Sequence, residues 1–308
     1  MSTARRAGLR LAPAWILIVA SFAAAVGAQV WRDRQTPPPA PIERVLYLPD
    51  GGVVERLALS FDAILADVYW VRTVLHFGGV RRGDGPKRYE LLQPLLDITT
   101  TLDPLFTVAY RYGAIFLAEP PPGGPGRPDD AIALLEKGLE ASPGRWRYLQ
   151  DIGFVKYWWK RDYEGAARAF KQASDVEGAP WWLSSMAAVT LAEGGDRRAS
   201  RRLWLSLLEN TEDDWLKQDA VRRLRQLDAL DQIDQLEEIV AQYLATSPPT
   251  PYTWEDLIAA GALRAIPRDP DGVPYYLGPY TGRVDLGDES RLQPLPVEPL
   301  EARPMPST

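Results

Sequence analysis

The chain has 308 residues, a formal net charge of −6 and 46% hydrophobic residues, enough for one or two buried cores. It has no cysteine, which excludes disulfides, thiolate-ligated zinc, iron–sulfur clusters and thioether-held haem. Mild acidity, with no Lys/Arg run in the main body, argues against nucleic-acid binding, because neutralising phosphates needs a basic face.

Arg5, Arg6 and Arg10 precede an almost unbroken apolar run from Leu11 to Trp31. A run of about 20 residues suffices to span a bilayer, and Trp15 and Trp31 stand near its ends, where interfacial aromatics sit. Residues 1–31 therefore read as a transmembrane anchor with the N-terminus in the cytoplasm. The expected location is the bacterial inner membrane, single-pass, with the bulk of the chain periplasmic. Val26-Gly27-Ala28 also has the small-residue form of a signal-peptidase site, so a cleaved signal stands beside the anchor, and length favours the anchor. Residues 32–54 follow as a linker, with Pro37, Pro38, Pro39 and Pro41 favouring a stiff, extended stalk.

A helical body is expected over 55–248. The first element, 55–78, has Leu57, Phe61, Ile64, Leu65, Val68, Val71, Val74 and Leu75 at helical spacing, read as its apolar face. His76, the single histidine, lies in the apolar run VRTVLHFG and reads as a helix-end or packing residue. The second element, 87–104, has Leu91, Leu92, Leu95, Leu96 and Ile98 and stops before Pro104. Pro94 either kinks it or sits in its first turns.

One unit then recurs three times. Its copies are 105–143, 146–174 and 181–208. Each has a small residue midway along its first helix (Gly113, Gly153, Ala187). Each has another early in its second helix (Ala131, Ala166, Ala199), and a large apolar residue one turn later (Leu135, Phe170, Leu203). Small residues let two antiparallel helices approach closely, and large ones fill the space between pairs. A single pair cannot bury its own apolar face, so stacking of pairs is expected.

Residues 146–173 resemble the tetratricopeptide repeat family, through the aromatic start, Ile152-Gly153, Asp162-Tyr163, Ala166, Phe170 and Ala173. The resemblance covers 105–210, and 57–104 as a looser leading pair. The chain departs from the pattern by the insertion EPPPGGPGRP in the first copy, by one extra residue before Asp162, and by Ala187 where the family has Gly. The resemblance implies an all-α fold, an antiparallel helix-pair solenoid, with first helices lining a concave groove. In the family's register that groove is lined by Thr107, Tyr110 and Leu117, by Arg147, Gln150, Phe154 and Tyr157, and by Trp181, Ser184 and Ala188. Such a surface suits an extended peptide or a partner helix. The same aromatics read equally well as packing between repeats.

Two further helices, 213–227 and 230–248, are expected to cap the solenoid. Residues 249–286 form a small module. Thr253 with Glu255 and Asp256 marks a helix start, and Gly261 a stop. Val273–Leu277 and Gly282–Leu286 suggest a hairpin. This order resembles the C-terminal part of type II secretion major pseudopilins over about 50 residues, without the pseudopilin N-terminal processing site. Asp269-Pro270-Asp271-Gly272 lacks the spaced ligands of an EF-hand and reads as a turn. Residues 287–308, rich in proline and acid, are expected to be disordered.

The chain shows no phosphate-cradling glycine loop, metal-spaced cluster or nucleophile motif. The expectation is a non-catalytic, membrane-anchored scaffold that needs no cofactor or metal and binds a protein partner in the cell envelope. An accessory part of a secretion or pilus-type machine and a periplasmic glycan-binding or glycan-acting protein are the alternatives.

Overall fold

The computed structural model describes residues 20–28, 31, 51–58, 60–246 and 251–299. Most of the expected anchor therefore lies outside the described residues. The described helical stretch in that region, residues 20–28, is about 14 Å long against a hydrocarbon layer of about 30 Å. Among the described residues no helix is long and apolar enough to cross a membrane. The expected transmembrane anchor, and the inner-membrane and periplasmic location drawn from it, are corrected accordingly.

From residue 51 onward the chain is mostly helical. In order come α1 (Gly51–Leu57), α2 (Asp62–Arg82), α3 (Leu92–Leu102), α4 (Thr107–Ala118) and α5 (Pro128–Ala141). Then follow α6 (Trp146–Val155), α7 (Tyr163–Ser174), α8 (Trp182–Glu193), α9 (Arg197–Asn210), α10 (Asp214–Leu244) and α11 (Trp254–Ala259). Two two-residue strands, β1 (Tyr276–Leu277) and β2 (Val284–Asp285), pair antiparallel with Tyr276 opposite Asp285. Helices α2 and α3, α4 and α5, α6 and α7, and α8 and α9 pack against each other as neighbours along the chain. Helix α6 also packs on α5 and on α4.

Local chemistry sets the helix starts. Asp162, Asp196 and Asp213 accept hydrogen bonds from the backbone N–H of Gly165, Ala199 and Leu216, at 2.8, 2.8 and 3.0 Å. Each satisfies an amide that the first turn leaves without a partner. Helix α5 instead opens with Pro128 and the acidic pair Asp129 and Asp130, which fit a missing N–H and the positive helix end.

The small residues do what their spacing predicts. A Cβ added to Gly113 would lie 2.5 Å from Leu96 Cδ2 and 3.0 Å from Leu134 Cδ2. At Gly153 it would run into the Phe170 ring, which is itself buried. Ala131, Ala166 and Ala187 are fully buried. The extra residue before Asp162 is absorbed by a π-helical turn, Lys156–Lys160, ended by Arg161 in the left-handed region at φ 51°. A π turn is the usual way a helix takes in one inserted residue. The proline-rich insertion of the first copy is held by Tyr89, whose hydroxyl donates to the carbonyls of Pro122 and Gly123 at 3.0 Å each.

Four expectations are corrected. Residues 51–54, assigned to the linker, begin helix α1, and Ser60, between α1 and α2, has φ 75°. The apolar face read on α2 points outward: Phe61, Ile64, Val68, Val71, Val74 and Leu75 are exposed. Contact with the body runs instead through Ala66, Thr73 and Phe77, which are buried, and through Trp70. Phe77 and Trp70 stack on Phe116 of α4, with ring centroids 4.2 and 6.1 Å apart. The two expected capping helices are one, α10, because no Gly or Pro interrupts residues 214–244. Finally, residues 287–299 are packed rather than disordered. Leu292 is buried in the core that α10 forms with the C-terminal module, and Gln226 donates to the carbonyls of Leu292 and Pro294 at 2.6 and 2.8 Å.

That module docks on α10. Trp254 Nε1 donates to Tyr275 O at 2.8 Å, the Tyr275 hydroxyl to Gln232 Oε1 at 2.8 Å, and the Val284 amide to Glu237 Oε1 at 3.1 Å. Helix α11 starts with a Thr253–Asp256 capping box. The 269–272 segment is a turn organised by Asp269. Its carboxylate accepts from the amides of Asp271 and Val273 at 2.9 Å each and from the Ser290 hydroxyl at 2.5 Å.

Candidate protein-binding surface

The residues proposed for the groove do not share one surface. Tyr110 is fully buried. Its ring lies 5.5 Å from that of Tyr148, its hydroxyl donates to Thr100 O at 3.3 Å, and burial pushes its pKa up to about 12. Leu117 and Ala188 are buried as well. These three are corrected from groove lining to core: α4, with Tyr110 and Leu117, packs against α3, α5 and α6, and Ala188 on α8 packs in the core with Trp204 and Ala220.

Phe154 is half-buried and meets Phe170 edge-on at 5.3 Å, which places it between α6 and α7. Tyr157 is half-buried, and its hydroxyl donates to Glu193 Oε2 at 2.5 Å. Desolvation, then the bond to Glu193, raises its pKa. Thr107, Gln150 and Ser184 are half-buried.

Arg147 and Trp181 remain well exposed. The Arg147 guanidinium lies 4.5 Å above the Trp146 ring, and Trp146 meets Trp182 edge-on at 6.4 Å. Trp181, 54% exposed, meets Trp215 edge-on at 5.5 Å, and Trp215 is itself exposed. Trp146 and Trp182 are half-buried and pack on the core formed with Phe170 and Leu183, so the exposed part of the starts of α6, α8 and α10 is Arg147 with the Trp181–Trp215 pair.

Further exposed side chains extend along α4 and α6. Val108, Tyr112 and Ile115 lie at i, i+4 and i+7 on α4, and Trp158 lies in the π turn. Between the two helices, Arg111 Nε and Nη2 bind Asp151 Oδ2 and Oδ1 at 2.5 and 3.0 Å, a bidentate pair. Desolvation raises the Asp151 pKa, against the opposing effect of Arg111. Tyr112, Ile115 and Trp215 were not among the expected surface residues. The 108–112–115 spacing marks Tyr112 and Ile115, but it marks a buried stripe equally well.

A second concavity, about 1060 Å³, opens between α10 and the C-terminal segment and is lined in part by Lys217, Arg222, Arg225 and Arg291. Two of these cations are engaged in structure. Arg225 pairs with Asp271 at 2.7 Å, and Arg222 donates to the carbonyls of Arg291 and Gln293 at 3.3 and 2.8 Å.

Comparison with protein-family models, curated proteins and solved structures finds no match to this chain.

Proposed function

We propose that the chain is a non-catalytic scaffold. Its helix pairs stack as a tetratricopeptide-like solenoid, and the starts of α6, α8 and α10 hold a protein partner. The observation that carries this is the exposed Trp181–Trp215 pair, with the exposed Arg147 held over Trp146 at the start of α6. Tryptophan and arginine dominate the energetics of protein interfaces, because each covers much area and keeps a polar handle. Large aromatic side chains left in water on a rigid helical frame meet a partner with little ordering cost. The partner that fits is a peptide segment or helix offering apolar side chains to the tryptophans and a carboxylate to Arg147. The chemistry assigned is binding alone, with no catalytic residue, cofactor or metal.

The test is in-cell crosslinking with affinity capture of the full chain and of an Arg147→Glu/Trp181→Ala variant, each checked for helix content by circular dichroism. Both residues are exposed, so the variant is expected to fold. A protein captured by the wild type and lost from the variant supports the proposal. Equal capture by both overturns it and moves the working surface elsewhere.

A further inference from the structure

Helix α2 is apolar on two opposite sides. One side, with Ala66, Trp70, Thr73 and Phe77, is packed against the body. The other carries Ile64, Val68, Val71, Val74 and Leu75, with the N-cap residue Phe61 before them, all exposed, Phe61, Ile64 and Leu75 at 62, 61 and 68%. A helix that is apolar all round is normally covered all round, and no described residue covers this face.

The spacing of the uncovered residues names the kind of partner. The steps from 61 to 64, 68, 71 and 75 are three, four, three and four. That is the a/d spacing of a two-stranded coiled coil, with Phe61, Val68 and Leu75 at a, Ile64 and Val71 at d, and the exposed Val74 at the adjoining g.

Charge then identifies the occupant. Asp67 immediately precedes the a-position Val68, and Arg72 immediately follows the d-position Val71, so the two occupy g and e on opposite flanks of the seam. Both are exposed, and neither makes an ion pair with another described residue. The Arg72 guanidinium lies 5.2 Å from the Tyr69 ring. In a parallel coiled coil, g meets the e position five residues further along the other helix, and 67 to 72 is that step. A second copy of this chain therefore sets Asp67 against Arg72 twice, once on each side of the seam. An antiparallel arrangement sets g against g and e against e, and leaves those charges unmatched.

We infer that α2 is the interface of a parallel, in-register homodimer in which Phe61, Ile64, Val68, Val71 and Leu75 pack against their own counterparts. In proteins most helical stability comes from tertiary packing rather than propensity. Here α2 is already held by the body, so its ordering is not charged to association. The assignment is independent of the surface at α6, α8 and α10.

Because the chain has no cysteine, a single introduced thiol reports on this geometry. Val68→Cys, Val71→Cys and, as an exposed control on α7, Gln172→Cys are made in the full chain and exposed to mild oxidant. In a parallel in-register dimer each seam position meets itself, so Val68→Cys and Val71→Cys form disulfide-linked dimers rapidly and Gln172→Cys does not. Asp67→Arg, added to Val68→Cys, should slow crosslinking roughly tenfold, since like charges then face each other on both flanks. Asp67→Arg/Arg72→Asp restores the pairing with signs exchanged and should restore the rate. Crosslinking at 68 and 71 no faster than at 172 overturns the interface, and covers association through the N-terminal apolar run. Crosslinking of Val68→Cys to an added Leu75→Cys variant in mixed samples, with neither crosslinking to itself, or a rate indifferent to the charge reversal, overturns the parallel arrangement.

Discussion

Arg197 and Glu298 are 101 residues apart in the chain and form a bidentate pair: Nε binds Oε1 and Nη2 binds Oε2, each at 2.6 Å. The remaining nitrogen, Nη1, donates to Asp231 at 3.0 Å and Asp234 at 2.5 Å on α10. One guanidinium at the start of α9 therefore ties together α9, α10 and the C-terminal strap. Burial works against its charge, but hydrogen bonds to Glu298, Asp234 and Asp231 outweigh that and hold Arg197 above its usual pKa. Asp231 is desolvated too, yet the hydrogen bonds from Arg197 and Arg201 keep its carboxyl below its ordinary value.

Removing one partner of a buried ion pair leaves the other charge without compensation, which costs about 3–5 kcal/mol, while replacing both with apolar groups is often near neutral. The Glu298 side chain is essentially inaccessible to water. Arg197→Leu should therefore lower the melting temperature markedly and open residues 287–299 to protease. Arg197→Leu/Glu298→Leu should recover much of the stability. Thermal melts of wild type, both single variants and the double variant measure the coupling. Additive losses would show that the pair does not hold the strap.

Gly153 makes a second case in which two effects of opposite sign can be weighed. Glycine inside a helix is about 1 kcal/mol less favourable than alanine, so propensity alone predicts that Gly153→Ala stabilises. The added Cβ meets the buried ring of Phe170, and overpacking of this kind costs about 1–3 kcal/mol. The clash wins, so Gly153→Ala should be net destabilising by about 1 kcal/mol. Phe170→Leu in the same chain should make the two losses less than additive. Urea unfolding with unchanged slope checks both.

Legibility in the sequence followed the strength of local signals. Gly113, Gly153 and Ala166 were readable because close helix crossings demand small residues at fixed spacing. Thr253 and Asp269 were readable because cap and turn chemistry is local. On α2, by contrast, both sides are apolar, and the more regular stripe is the one that faces outward. Inward contact rests on Trp70 and Phe77, whose stacking partner Phe116 is far along the chain. Residues 287–299 have the composition of a disordered tail, yet buried Leu292, Ser290 and Glu298 find partners on or beside α9 and α10. Those partners lie tens of residues away, beyond the reach of any composition rule. The candidate surface was legible only at Arg147 and Trp181. Whether a helix position faces water or a neighbour depends on how the pairs pack, and Tyr110, placed in the groove by register, is core.

The Arg111–Asp151 pair gives a prediction in which pH separates causes. Burial raises the Asp151 pKa even with Arg111 in place. Arg111→Leu removes the hydrogen bonds and the positive charge that oppose this, so the folded-state pKa of Asp151 should rise further. For a carboxylate the sign runs one way: a folded pKa above the unfolded one means that the ionised group destabilises the fold. The penalty is full above the folded pKa and vanishes as pH falls through the unfolded value of about 3.9. Arg111→Leu should therefore be clearly less stable than wild type at pH 7, with the gap narrowing towards pH 4. Arg111→Leu/Asp151→Asn should show a smaller deficit at pH 7 and little such narrowing. Chemical denaturation across that range provides the check. A deficit that is the same at pH 7 and pH 4 would show that Arg111 acts there through packing of its stem and not through the charge of Asp151.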